Sequence, residues 1–433
     1  MPTQLRRICQ DFEEYTKRIR KAPHDPQVWL SRAVWFAGYG VPYIRENHWP
    51  LLAAADAYKV YKWFSCPKFR RENHLYDIPG AELRETKLQA CRILVKALLD
   101  LKDIQRARYY VKEEGIYESL CKEDQSRLRR PLSEDYRPKM RAQQYPWIPA
   151  RFMDRTRYLH NIRENLASRG LALIPSRIGK RNENNLGVFA MKRFKKGEPL
   201  FEEKTLKPSR HTLHSVFHFF DAAIKELKKG APRHLLDRSE LGALAASYND
   251  HENVFRFRTE HLGYLKAKDP RLLWNTDLDM WVLDTAHQRC STNQFGLTEE
   301  RADRKSIRWS VISPMASLFQ HSCEPVAQWG PKDKECADMM VMTAIRNIEQ
   351  GEEIYDSYCD DGDLEWRREQ LKHWIGGDCM CTKCVKEERA KAERDTNARD
   401  SGVEMTDSAT TSPSTGSSSE VDSDGDAKMG GTS

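Results

Sequence analysis

The chain has 433 residues, 31% of them charged and 39% hydrophobic, with a net charge of +7. That length argues for two folded domains plus a tail. No apolar run approaches membrane-spanning length, the nearest, Pro50 to Ala57, being broken by Asp56. The segment Met1 to Arg7 lacks the apolar stretch of a secretory signal, so the eleven cysteines are expected to be reduced, in the nucleus or the cytoplasm.

From about Leu5 to Glu114 the spacing predicts helix throughout. Apolar residues recur at helical intervals in Val28, Trp29, Ala33, Phe36 and Ala37, and again in Leu51, Leu52, Ala54, Ala55 and Tyr58. Such helices cannot each bury a face alone and are expected to pair. Pro23-His24-Asp25-Pro26 starts one pair, whose helices are separated by a turn region from Gly38 to Pro50. A second pair runs Leu83 to Leu101 and Ile104 to Glu114, with Gly115 as the stop. Aromatic first helices and Ala-rich second helices make residues 1–150 resemble tetratricopeptide repeats, without the strict repeat pattern. Regions of this kind bind a peptide partner or pack on a neighbour; packing is the expectation here. Gly38-Tyr39-Gly40 lacks a third glycine and lies among helices, which disfavours a dinucleotide-type turn.

Arg130 to Pro149 reads as a connector and Arg151 to Ser168 as a bridging helix. From Leu171 the period shortens, with strands at Leu171 to Ile174, Gly187 to Met191 and Pro199 to Glu202. A helical insertion at about 207–281 interrupts them. His211, His214 and His218 sit at helical spacing inside it, joined by no cysteine or carboxylate cluster, and read as a helix face and not as a metal site. Strands return at Met339 to Ile345 and Glu353 to Tyr355, giving an α+β architecture. Residues 387–433 turn charged, then Ser-rich and acidic; they hold too few apolar groups to offset ordering entropy, and disorder is expected. From Asp400 onward seven acidic residues face one basic residue, Lys428, so this end carries −6 and the rest +13. The body's Lys and Arg are interspersed with Glu and Asp, so a solvated basic surface is expected over direct nucleic-acid binding.

Cys379, Cys381 and Cys384 leave a tetrahedral zinc one ligand short. Cys323, in Gln320-His321-Ser322-Cys323-Glu324-Pro325, is the best candidate for the fourth. Between these elements lies Gly351-Glu352-Glu353-Ile354-Tyr355-Asp356-Ser357-Tyr358, so a zinc clip would pin that segment and fix Tyr358. Cys9, Cys66, Cys91 and Cys121 read as buried small hydrophobes.

Four elements follow one another in the chain. They are Asn185-Leu186-Gly187-Val188-Phe189-Ala190 with Gly197-Glu198-Pro199-Leu200; Cys290-Ser291-Thr292-Asn293-Gln294-Phe295; Ser313-Pro314 through Pro325; and Gly351 to Tyr358 with the cysteines. In this order they resemble the SET-domain protein-lysine methyltransferases with a cysteine-bearing post-SET segment. The split architecture is most similar to the SMYD branch and its fungal relatives. The resemblance covers about Leu171 to Cys384, and implies a SET β-fold over residues 151–365, a post-SET segment at 366–386 and one structural zinc on Cys323, Cys379, Cys381 and Cys384. Only Cys290 lies between the SET halves, so the zinc-rich MYND module of that branch is absent there.

The resemblance further implies S-adenosylmethionine as cofactor, bordered by Asn185, Leu186 and Gly187, held at its polar ends by Asn293, Gln320 and His321, and met by Tyr358 as the catalytic hydroxyl. It implies a lysine-bearing protein substrate, with histones as one candidate. A lysine amine must be neutral and in line with the methyl to attack it, which a narrow apolar channel favours. The sequence departs from the family at several positions. Gln320 and Val326 stand where Asn is usual at the two ends of the Asn-His-Ser-Cys-x-Pro-Asn motif, and Ile375 stands where an aromatic residue is usual ahead of the cysteines. Asn185 replaces a usual Gly, and its tolerance of left-handed backbone would preserve the turn. These departures keep open a second reading, a catalytically weak SET scaffold that mediates protein interaction through its helical region.

Overall fold

The computed structural model describes residues 3–38, 49–65, 79–130, 145–178, 185–206, 216–230, 234–244, 254–300, 306–333, 336–359, 361–375 and 378–400. The chain divides into two units, residues 1–386 and 387–433. Within the first, the chain begins with helices α1 (Thr3–Lys21), α2 (Pro26–Gly38), α3 (Pro50–Ser65), α4 (Gly80–Asp100), α5 (Ile104–Glu114) and α6 (Lys122–Arg129). Their ends follow local chemistry. Asp103 accepts the Arg106 N–H at the start of α5, and Gly115, at φ +64, closes it in the left-handed conformation expected of a glycine stop. On α3, Ala53, Ala54, Ala55 and Ala57 are all but fully buried, which lets neighbouring helices approach closely.

The paired helices do not form a core of their own. Trp29, Ala33 and Phe36 share one apolar cluster with Val216, Phe220, Leu262, Met280 and Leu283 of the later helical insertion. At its centre lies a buried ion cluster. Arg32 reaches Asp56 at 2.7 Å and Asp279 at 2.8 Å, and Lys59 reaches Asp279 at 3.4 Å, each side chain being 2% exposed or less. Burial alone would raise Asp279, but Arg32 and Lys59 hold it below the ordinary carboxylate value. Packing against the neighbouring region, the expected alternative to peptide capture, is what these helices do.

Two further helices, α7 (Ala150–Met153) and α8 (Thr156–Ser168), occupy the stretch read as one bridging helix. Nine strands follow among the described residues: β1 (Leu171–Pro175), β2 (Leu186–Ala190), β3 (Pro199–Lys204), β4 (Gln294–Glu300), β5 (Ser306–Ile312), β6 (Gln320–His321), β7 (Ala327–Asp333), β8 (Cys336–Ala344) and β9 (Glu353–Asp356). They form sheets of order β1-β2-β9-β6, β3-β8-β7 and β4-β5. Between β3 and β4 lie α9 (Val216–Lys228), α10 (Ser239–Ala243), α11 (Val254–Lys268) and α12 (Met280–Thr292). The helical insertion therefore extends to Thr292, eleven residues beyond the 281 boundary expected from periodicity, because α12 starts directly after the Asp279 anchor and carries buried Val282, Leu283 and Ala286. No helix among the described residues is long and apolar enough to cross a membrane.

After β9 come α13 (Leu364–Ile375) and α14 (Thr382–Asp400). The run from 387 to 400, expected to be disordered, is helical: its Glu, Arg, Lys and Ala are good helix formers even without a core to cover. The Ser-rich acidic stretch beyond Asp400 lies outside the described residues, as do His211 and His214; His218 sits half-buried on α9 against Phe219.

Candidate active site

The site is assembled where β2, β9 and β6 lie side by side. β2 pairs antiparallel with β9, matching Val188 to Ile354 and Phe189 to Glu353. On its other edge β9 runs parallel to the two-residue β6, matching Gln320 to Tyr355 and His321 to Asp356. This register brings Leu186, Gly187, Gln320, His321 and Tyr358, from three distant stretches of sequence, to one end of one sheet. Ile354 and Val326 are buried in the core beneath it. Val326, where the family motif carries a polar residue, fills that core instead and bonds only through its backbone, its N–H donating to Tyr355 O at 3.0 Å.

The amides expected to hold a cofactor's polar ends are committed first to the protein's own backbone. Gln320 Nε2 donates to Leu186 O at 2.6 Å, tying β6 to the start of β2. Asn185 Nδ2 donates to Ile178 O at 2.6 Å. Asn185 does not use left-handed backbone, since Lys102 is the described non-glycine residue with positive φ; its amide, not its conformational tolerance, ties it to Ile178. Asn293, at the end of α12, donates Nδ2 to Arg289 O at 2.7 Å. No described hydrogen bond joins Asn293 to Gln320 or His321.

Glu353 was not singled out from the sequence beyond its place in the Gly351 to Tyr358 segment. Its carboxylate, 1% exposed, accepts from Ser176 Oγ at 2.6 Å, Arg177 N at 2.9 Å and Tyr355 Oη at 2.8 Å. It thereby fastens the loop after β1 against β9. A buried charge needs several partners to be tolerated, and here it has three.

His321 joins the tyrosine to the cysteines. The Tyr358 backbone N–H donates to His321 Nδ1 at 3.0 Å, and His321 Nε2 lies 3.2 Å from Cys323 Sγ. Burial holds the imidazole down at about 4, so it is neutral with its proton on Nε2, facing the sulfur. The Tyr358 hydroxyl donates to Phe319 O. Burial, with the Asp356 charge adding to it, pushes the phenol well above its ordinary value, so the hydroxyl stays neutral.

The Sγ atoms of Cys323, Cys379, Cys381 and Cys384 all lie within 4.8 Å of one another, with Cys323 and Cys384 3.5 Å apart. Thiolates at ~2.3 Å from a tetrahedral zinc stand ~3.8 Å apart, so the spacing is compatible with that ion. The surroundings suit an anionic cluster: Arg367, 2% exposed, points Nη2 at Cys384 Sγ from 3.7 Å, and the His321 N–H faces Cys323. Leu364 and Leu371 of α13 cover the cysteines, and Tyr358 and Ile375 pack on the same cluster. Ile375, in place of the family's aromatic, thus belongs to the wall around the sulfurs.

The SET domain family model matches residues 185–359. A SET and MYND domain-containing protein of Dictyostelium discoideum is 30% identical over 161 residues, 35% of this chain and 29% of its own length. Among solved structures, the SET domain of LSMT bound to lysine and AdoHcy is 13% identical, with a TM-score of 0.28 over 53% of this chain and 57% of that one. Rubisco LSMT bound to AdoMet is likewise 13% identical, with a TM-score of 0.27 over 54% and 56%. The chain therefore spans under a third of the curated relative and just over half of the solved chains. Residues 185–359, from Asn185 to the turn beyond Tyr358, form a SET domain.

Proposed function

We propose that the protein is a protein-lysine N-methyltransferase that uses S-adenosylmethionine, with one structural zinc on Cys323, Cys379, Cys381 and Cys384. The observation that carries this reading is the Tyr358 hydroxyl bonded to Phe319 O, where β6 and β9 meet. A neutral hydroxyl beside a backbone carbonyl is the pair needed to orient an amine along one axis, and such orientation lowers a bimolecular barrier substantially. S-adenosylmethionine, when bound, supplies an electrophilic methyl on sulfur. The backbone of Asn185 to Gly187, with Gln320 and His321 behind it, would border that cofactor. Gln320 Nε2 and Asn185 Nδ2 act on the backbone, so their contribution is to tie β6 to Leu186 O and Asn185 to Ile178 O.

Zinc would act at a distance from the transfer. By joining Cys323 to the segment after α13 it fixes both ends of the stretch that holds Tyr358, and His321 passes the constraint to the Tyr358 N–H. Histones are the first substrate class to test, as abundant lysine-rich proteins. Titration of S-adenosylmethionine into the purified full chain, followed by transfer of labelled methyl to histones or to a protein extract, tests the proposal. Saturable binding with label on lysine is expected; absence of binding at millimolar cofactor overturns the reading.

A further inference from the structure

The Tyr358 hydroxyl and the Phe319 carbonyl meet, but different parts of the molecule hold them. Tyr358 is held by His321, which accepts its backbone N–H, and by the cysteine cluster on which its ring packs. Phe319 ends a short helical turn, Ala316–Leu318. In that turn Ser317 N donates to Ser313 O at 3.0 Å, Leu318 N to Met315 O at 3.1 Å and Phe319 N to Ala316 O at 3.2 Å. The turn is seated on β3, which belongs to the β3-β8-β7 sheet and not to the one carrying β6 and β9. Residues 201 and 203 share one side of β3. The Phe201 ring stacks on Phe319, with centroids 5.4 Å apart. The Glu203 carboxylate accepts from the Ser313 hydroxyl and from Met315 N at 3.0 Å, at the start of the turn. Ser313, Met315, Ala316, Leu318 and Phe319 are all buried, so solvent is a poor substitute for that carboxylate.

We propose that Glu203 is a positioning residue for methyl transfer: through Ser313 and Met315 it sets the direction of the Phe319 carbonyl that the Tyr358 hydroxyl meets. Its role in transfer rests on the lysine-methyltransferase reading, whereas the placement of the hydroxyl is a property of the chain alone. The carbonyl belongs to the Phe319–Gln320 peptide, whose far end is fixed by the pairing of Gln320 with Tyr355. Its near end follows the turn, and Glu203 fastens the turn at its start. Loss of the carboxylate therefore lets the carbonyl swivel while Tyr358, held from the cysteine side, stays where it is. Groups that orient reacting partners must be held to within about 0.5 Å, so a small swivel is enough to spoil the pair. Glu203 acts through the carbonyl; it exchanges no proton and makes no bond in the reaction.

The test reads the Tyr358 hydroxyl directly, in the full chain labelled with carbon-13 at the ζ carbon of its tyrosines. The Tyr358 resonance is assigned by its loss in Tyr358→Phe, and its shift follows the hydrogen bond that the phenol makes. Glu203→Ala is expected to move that resonance and to lower kcat about 10²-fold, with the KM for S-adenosylmethionine unchanged. Glu203→Gln, which keeps an accepting oxygen for Ser313 and Met315, is expected to return the resonance toward its native place and to recover part of the rate. Asp284→Ala removes the buried acceptor of Tyr145 and Gln288 in the helical insertion. It controls for destabilisation alone and should leave the Tyr358 resonance in place. If Glu203→Ala does not fold, Ser313→Ala deletes one of the two donors and should move the resonance in the same direction. A native resonance in the folded variant, or an equal movement in Asp284→Ala, overturns the proposal. Transfer at the native rate despite a displaced resonance overturns the positioning role and leaves the methyltransferase reading intact. A displaced resonance in a protein whose native form transfers no methyl group sinks the methyltransferase reading and leaves the placement of the hydroxyl by Glu203 standing.

Discussion

Gly187 and Glu353 occupy each other's space: a Cβ on Gly187 would stand 2.2 Å from Glu353 Oε1 and 3.3 Å from the Ser176 Cβ. The glycine is needed because a buried carboxylate, held by Ser176, Arg177 and Tyr355, passes directly beneath it. Gly187→Ala must push that carboxylate off its partners, and a loss of about 1–3 kcal/mol is expected, as for other overpacked sites. Glu353→Ala alone also destabilises, by orphaning three donors. The double variant should lose less than the sum of the two, because the clash disappears with the carboxylate. Urea unfolding of the four proteins measures the coupling, and strict additivity would show that the two residues do not compete for space.

The cysteine cluster predicts one zinc per chain. Cys323→Ala removes the ligand farthest in sequence from the other three and opens the clip between β6 and α13. Zinc content by atomic emission should fall well below one, and the thermal midpoint should drop with it. Arg367→Ala should keep the metal but weaken it, since the buried guanidinium offsets thiolate charge from 3.7 Å. Full zinc content in Cys323→Ala would refute the ligand set.

Tyr358→Phe deletes the hydroxyl and leaves the ring that packs on the cysteine cluster and the backbone N–H that binds His321. Stability and cofactor affinity should therefore be nearly intact, while methyl transfer falls by about 10²-fold or more, the effect of losing one aligned polar group in a closed site. Transfer at the native rate would assign the hydroxyl to packing alone.

The parts of this molecule that the sequence made legible are those governed by local pattern. Helical spacing located α2 to α5, alternation located β1, β2, β3, β8 and β9 within a few residues, and the Cys-x-Cys-x-x-Cys run with Cys323 located the sulfur cluster. The missed elements depend on distant partners. β6 is two residues long and exists because β9 lies beside it. β4 and β5 do alternate, in Phe295 and Leu297 and in Ile307, Trp309 and Val311, and were open to discovery by that signal, whereas β7 contains Gly330-Pro331 and reads as a turn. Asp279 reads as an ordinary residue before a helix; only the fold reveals that its carboxylate meets Arg32, 247 residues earlier. Glu353 was hidden for the same reason, as one of two adjacent glutamates in a familiar motif.

That long-range contact makes the helical region and the insertion one cooperative structure. Arg32 donates to both Asp56 and Asp279, and all three are buried. Arg32→Ala strands two carboxylates with Lys59 as their remaining cation, and a loss of about 3–5 kcal/mol is expected. The unfolding transition should stay single, because helices on both sides share one core. A variant in which α2 to α5 melt separately from α9 to α12 would show that the two regions are independent.

Glu203 on β3 makes a prediction in pH. It accepts from the Ser313 hydroxyl and from Met315 N at 3.0 Å, holding the chain that leads to Phe319. Burial pushes its carboxyl up to about 7 from an ordinary 4.5, and these hydrogen bonds only partly oppose the shift. Between those two values the folded protein holds a proton that the unfolded chain has released. Stability from this group is therefore full below about 4.5 and declines as pH rises through 7. Glu203→Gln keeps an acceptor for Ser313 and Met315 but cannot ionise, so it should remove that part of the decline. The difference in thermal midpoint, variant minus native, should rise from pH 5 to pH 7.5 and level off above. A difference that stays flat across the window would mean that Glu203 ionises in the folded protein as readily as in water.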